Sequence, residues 1–212
     1  MNSIKGKWAL VTGSSRGIGQ QIAIGLAQLQ CNVIVHGRTE KNVEKTLRLL
    51  EPFNIKTHAV IGDLGTSEGI DAVISGIDRG YAPADILYNN AAIQGPWQAT
   101  FASGMDVWTR VFQINVFSVV ALCKAIIPGM KERGYGRIIN LSSGIKDKPE
   151  LAAYSASKAA IDKYTLDMAA ELRGSNVLIN SLDPGWCKTD LGGPQAEHNV
   201  ETVLPGALVP AL

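Results

Sequence analysis

Six short runs of β-branched and other apolar residues alternate along this chain with longer amphipathic segments, and few architectures accommodate that order. Trp8-Ala9-Leu10-Val11-Thr12, Asn32 to His36, Thr57 to Ile61, Ile86 to Asn89, Arg137 to Leu141 and Val177 to Leu182 read as strands. Most are apolar almost without interruption, so both faces must be covered. Helical patterns fall between them at about 17 to 29, 40 to 51, 67 to 79, 104 to 133 and 152 to 172. Strand and helix in such succession specify an α/β fold, a doubly wound parallel sheet with helices on both faces.

Composition narrows the function classes. A chain of 212 residues with 46% apolar side chains can bury one substantial core, so a single domain over residues 1 to 212 is expected. A net charge of +1, with scattered basic residues, gives no electrostatic reason for a nucleic-acid or membrane partner. No apolar run approaches the roughly 20 residues that span a bilayer, and Met1 to Lys7 leads into a strand instead of a signal peptide. Cys31, Cys123 and Cys187 are odd in number and far apart, which suits a reducing cytoplasm, and neither they nor His36, His58 and His198 show metal-ligand spacing. A cytoplasmic protein without a metal is expected.

Two interruptions stand out. Pro128 and Gly129 should kink or end the long helix from Asp106 to Arg133. After Leu182 the chain becomes turn-rich, through Asp183-Pro184-Gly185-Trp186 and Gly192-Gly193-Pro194, and residues from about 186 to 212 are expected to form a mobile substrate side and a C-terminal segment.

Thr12-Gly13-Ser14-Ser15-Arg16-Gly17-Ile18-Gly19 follows a strand and opens a helix. Glycines there let backbone approach a pyrophosphate, and the helix N-terminus offers unpaired N–H donors at the positive end of its dipole. Far downstream, Tyr154 and Lys158 lie four residues apart on one helix face. A phenol titrates near ~10 in water, and an ammonium beside it favours the ionised form, so the pair suits proton transfer near neutral pH.

With these motifs in place the chain resembles the short-chain dehydrogenase/reductase family over nearly its whole length, and a Rossmann-type sheet is implied. Gly13, Gly17 and Gly19 match its TGxxxGxG turn, Asp63-Leu64 its adenine-side Asp, and Asn89-Asn90-Ala91-Ala92 its NNAG segment. Asn115 matches its helical Asn, Tyr154 and Lys158 its YxxxK pair, and Pro184-Gly185 its turn after the sixth strand. The resemblance implies Tyr154 as acid/base at the substrate oxygen, Lys158 on the phenolate and the nicotinamide ribose, and Asn115 in a proton relay. A family Ser that hydrogen-bonds the same oxygen is matched by Ser143. Ser15, Arg16, Ile18, Arg38, Asn90, Ala91 and Thr189 join the implied cofactor contacts, with Thr189 on the carboxamide.

The end of the second strand, His36-Gly37-Arg38, lacks the acidic residue that would repel a 2′-phosphate, so NADP(H) is expected over NAD(H). Gln94, Gly95, Pro96, Trp97, Ile145 and Trp186 to Leu191 are expected around a small carbonyl or alcohol substrate, apolar or aromatic, although the two tryptophans fit a core or interface equally. Family members commonly pair through the helices that carry Asn115 and Tyr154, which implies a homodimer or homotetramer. The sequence also departs from the family. Ala92 replaces the last Gly of NNAG, and Ser143 and Tyr154 are only eleven positions apart across a charged loop. The apolar tail from Val203 holds no further strand, so either a terminal segment is absent or the sheet edge is finished another way. A dinucleotide-binding regulator with little catalysis is the alternative reading, and a nucleotide-sugar epimerase or dehydratase usually carries an added substrate domain.

Overall fold

The computed structural model describes residues 3–78 and 83–212. The strands are β1 (Trp8–Val11), β2 (Asn32–Gly37), β3 (Thr57–Ile61), β4 (Ile86–Asn89), β5 (Gly136–Leu141) and β6 (Val177–Leu182). All pair in parallel in the order β3-β2-β1-β4-β5-β6. The chain therefore starts at the centre, winds to one edge, returns across β1 and winds to the other. Its direction reverses between β1 and β4, which places a crevice at their carboxyl ends.

Period-two alternation sends successive side chains to opposite faces. Leu10, Ile34, Leu87 and Ile138 pack with Val73, Leu122, Met130 and Ile161, from helices α3 (Ser67–Asp78), α5 (Ser118–Glu132) and α6 (Ala152–Glu171). Ala9, Val11, Val35, Ile86, Tyr88 and Ile139 pack on the other side with Ile22, Leu26 and Val43, from α1 (Gly17–Gln28) and α2 (Glu40–Leu50).

Two expectations are corrected in the long helical region. α4 (Met105–Phe112) leads into a π-helical turn at Gln113–Phe117 and then into α5, so the irregularity falls around Asn115. α5 continues through Pro128 to Glu132 and stops before Gly134, whose φ is +63°. Pro128 and Lys124 are both exposed, so water can take the carbonyl that proline leaves without a partner. The continuous stretch Met105–Glu132 is also long and apolar enough to cross a bilayer, with mean hydropathy 1.8 over its best window. Its apolar side is spent on the sheet, where Leu122, Cys123 and Met130 are fully buried.

The tail folds into short 3-10 turns, Val200–Val203 and Gly206–Ala211, on the α1 side of the sheet. Tyr88 Oη donates to Ala207 O at 2.9 Å, and Leu204 and Leu208 close on Gly25, where a Cβ would lie 2.9 Å from Leu208 Cδ1. Among the described residues β6 has β5 as its only strand neighbour.

Candidate active site

At the carboxyl end of β1 the backbone enters the left-handed region twice, at Gly13 (φ +63°) and Gly17 (φ +59°). A Cβ on Gly13 would lie 3.0 Å from Ala91 Cα, and one on Gly17 3.3 Å from Thr189 Cγ2. The segment after β4 is tied to this turn. Asn90 Nδ2 donates to Thr12 O at 2.8 Å, while Thr12 Oγ1 accepts from the Asn90 and Ala91 amides at 2.9 and 3.0 Å. α1 begins with no side-chain cap and no acidic residue in its first turn, unlike α2, where the Thr39 side chain accepts from the Asn42 amide. Its first N–H groups are left for an anion.

A cleft of about 740 Å³ opens over these strand ends. Its wall includes Gly13, Ser15, Arg16, Gly17, Ile18, Arg38, Asp63, Leu64, Asn90 and Ala91, together with Tyr154, Lys158, Pro184 and Thr189. Gly19 and Gly185, expected among the cofactor contacts, are not on it. A Cβ on Gly19 would run into Asn90 Nδ2 beneath the turn, and Gly185 (φ +72°) shapes the bend after β6, its amide donating to Asp183 Oδ1 at 2.9 Å. Arg16 Nε pairs with Asp190 Oδ2 at 2.6 Å, and both side chains are mostly exposed. Asp63 accepts from the Gly65 amide at 2.8 Å and faces Arg110 at 4.0 Å.

α6 brings Tyr154 and Lys158 into the cleft, 8% and 5% exposed. The Ser143 hydroxyl is close enough to the Tyr154 phenol to favour its ionised form, and it accepts from the Ile145 amide at 3.3 Å. Its neighbour Ser142 donates to Asp162 Oδ2 at 2.7 Å, so the two serines of this run face different partners. Lys158 Nζ donates to Leu141 O at 2.6 Å and lies 5.6 Å from the Tyr154 ring centroid. The electrostatics differ from those expected of the isolated pair. Burial raises the Tyr154 phenol above its ordinary value, Asp183 adds to this, and the Ser143 hydroxyl opposes it. Burial lowers Lys158 to about 8, against Asp162 and Asp183. For both groups removal from water is the largest influence, raising the phenol and lowering the ammonium.

Asn115 is buried but not on the cleft wall. Its amide is hydrogen-bonded at both ends, accepting from Ile93 N at 2.9 Å and donating to Ile93 O at 2.8 Å and Ser157 Oγ at 3.0 Å. Ser157 Oγ in turn donates to Tyr154 O at 2.7 Å. Asn115 thereby joins the exit of β4 to the first turn of α6, and the π turn around it removes a carbonyl from the helical ladder.

On the substrate side, Gln94, Gly95, Lys188, Thr189, Asp190 and Leu191 line the cleft, whereas Trp97, Ile145 and Trp186 do not. Both tryptophans are half exposed. Trp186 Nε1 donates to Gly192 O at 2.8 Å, and Trp97 Nε1 donates to the Gln94 side-chain oxygen at 2.7 Å in the amide orientation that satisfies both groups. Three groups escaped the sequence reading. Asp162 stands one turn after Lys158, a spacing visible in the sequence, and holds Ser142 and Ser181. Asp183 binds the Gly144 amide at 2.7 Å. His36 was signalled only as a polar residue ending an apolar run. Among the described residues no cluster of metal ligands occurs.

An uncapped helix start over a glycine turn thus shares one cleft with a buried Tyr and Lys. A family model described as short chain dehydrogenase matches residues 7–200. The chain is 33% identical to the mouse (Mus musculus) dehydrogenase/reductase SDR family member 4 over 190 residues, 89% of this chain and 68% of that protein. It is similar in structure to a 3-oxoacyl (acyl-carrier-protein) reductase from Agrobacterium tumefaciens C58 with NADP bound, with TM-score 0.83 and 32% identity, over 89% of this chain and 73% of the other. An NAD+-bound xylitol dehydrogenase gives TM-score 0.82 at 29% identity, over the same shares of the two chains. The protein belongs to the short-chain dehydrogenase/reductase family, a class of NAD(P)-dependent oxidoreductases. It spans about two thirds of the length of the first curated relatives it matches, 66% and 68%.

Proposed function

We propose that this protein interconverts a carbonyl and an alcohol with NADP(H), using Tyr154 as the acid/base. Tyr154 and Lys158 together on the cleft wall, with the Ser143 hydroxyl acting on the Tyr154 phenol from behind that wall, carry this reading. The dinucleotide fits the residues present: the α1 N-terminus is open toward its phosphates, and added Cβ atoms at Gly13 and Gly17 would narrow the turn. When bound in reduced form it supplies the hydride. Ser143 and Tyr154 hold the substrate oxygen between two hydroxyl donors, and Tyr154 gives it a proton as negative charge develops. Lys158 stabilises the phenolate formed, and Asn115 keeps α6 and the exit of β4 in register. Ser15, Arg16, Ile18, Asp63, Leu64, Asn90, Ala91, Pro184 and Thr189 complete the cofactor contacts from the cleft wall.

The choice of NADP(H) rests on Arg38, which stands on the wall at the end of β2 without an ion-pair partner among the described residues. A single domain whose residues from about 186 to 212 supply a substrate loop and a C-terminal segment, a cytoplasmic location and a homodimer or homotetramer belong to the same reading. Fluorescence titration with NADPH and NADH, followed by oxidation of NADPH against small ketones, aldehydes and sugars, tests it. Tight NADPH binding with turnover is expected, and Tyr154→Phe should lower turnover by about 10²- to 10⁴-fold while cofactor affinity is nearly unchanged. Full turnover in that variant sinks the assignment. Tight binding with no turnover on any carbonyl points to a regulator.

A further inference from the structure

His36 is a buried ring that the reaction above does not use, and both its nitrogens are committed. Nδ1 accepts from the Gly13 amide at 2.9 Å, and Nε2 lies 3.1 Å from Gly62 O. A carbonyl can only accept and an amide N–H can only donate, so the partners themselves put the single ring proton on Nε2. The backbone of His36 is joined to the same turn, its amide donating to Ser14 Oγ at 3.0 Å and its carbonyl accepting from the Ser14 amide at 3.1 Å. From this geometry we propose that His36 is a positioning residue for the dinucleotide turn: the neutral ring fixes the Gly13 amide in its left-handed bend, and a second proton on Nδ1 releases it and weakens dinucleotide binding. The inference rests on the cleft holding a dinucleotide.

A protonated Nδ1 would face the Gly13 N–H donor to donor at a ring only 3% exposed, so the bond would be lost. Burial lowers the His36 pKa, with the Gly62 carbonyl and Asp63 opposing, so the loss falls on the acid side of its ordinary value of 6.5. Binding selects the neutral ring, so affinity falls as pH falls and protons are released on association at acid pH. The charged groups nearby on the cleft wall are Arg16 from the turn, Arg38 after β2 and Asp63 after β3. α2 contributes Asn42 and the segment after β4 contributes Asn90 and Ala91, none of which titrate.

The probe is NAD+, because a 2′-phosphate takes up its own proton near ~6 and would mimic the effect. Calorimetric titrations between about pH 5 and 8, in buffers of different ionisation enthalpy, compare the wild type with His36→Asn and His36→Leu. An Asn oxygen stands where Nδ1 does relative to Cβ, can accept from Gly13 and takes no proton. The expected results are a wild-type affinity that drops toward pH 5 with proton release, and an Asn variant close to wild type at pH 8 with a flatter profile. The Leu variant should be about tenfold weaker at pH 8. An Asn variant that keeps the wild-type pH slope, or a Leu variant that binds like wild type, overturns the role of His36. Binding of neither NAD+ nor NADP+ by the wild type at pH 8 overturns the dinucleotide reading, and this inference with it.

Discussion

Gly13, Gly17 and Gly19 share one turn but answer to different forces. The first two need the left-handed backbone, whereas Gly19 is helical and needs room: a Cβ there would meet Asn90 Nδ2 and stand 2.7 Å from Gly13 O. Gly19→Ala should therefore cost about 1–3 kcal/mol in urea unfolding, and a change below about 0.5 kcal/mol would show that Asn90 moves aside freely. Lys158 carries a pH signature. Its folded pKa of about 8 lies below the ordinary 10.5, so between these values the unfolded chain holds a proton that the folded one has lost. Its contribution to stability must then rise with pH across that window, by on the order of 3 kcal/mol, with the penalty fully present below pH 8. Comparing wild type with Lys158→Met by urea unfolding at several pH values isolates this, and equal slopes would refute it.

Among the elements, all six strands stand where period and composition place them; the four central ones are apolar nearly throughout because they are buried along their length, while β3 and β6 at the edges are only partly covered. The long helix was less legible. Proline and glycine near its end suggested a break, but the missing hydrogen bond falls on the exposed side, while the turn that departs from the α ladder carries Asn115 in an unremarkable run. Leu122→Ala, in the fully buried part of α5, should destabilise the protein by about 2–5 kcal/mol in thermal or urea unfolding; a loss under about 1 kcal/mol would mean the core there closes over the cavity. Site residues followed the same division. Tyr154 and Lys158 announce themselves by spacing on one helix, but Asp162, Asp183 and His36 act through partners 19 to 39 residues away or on other strands.

For the whole molecule, large apolar side chains remain exposed on the helices beside the site, among them Met105 at 74%, Phe117 at 53% and Leu166 at 69%. Exposed apolar residues on the elements bearing Asn115 and Tyr154 fit the proposed self-association through them. Phe117→Glu combined with Leu166→Glu should convert the oligomer to a monomer in light scattering after gel filtration, and a wild-type protein that already runs as a monodisperse monomer would refute the oligomer.

Sequence by itself determined the architecture and the chemical groups. Period-two apolar runs require a covered parallel sheet, a glycine turn between strand and helix requires close backbone approach, and Tyr154 with Lys158 needs only a helix to share a face. Tertiary structure alone decided how those groups behave. Ionisation depends on water and on charges brought in from distant segments, so the phenol, which a neighbouring ammonium was expected to shift toward its ionised form, is instead raised above its ordinary value by burial. The tautomer of His36 likewise depends on Gly13 and Gly62, which only the winding of the sheet brings to its two nitrogens.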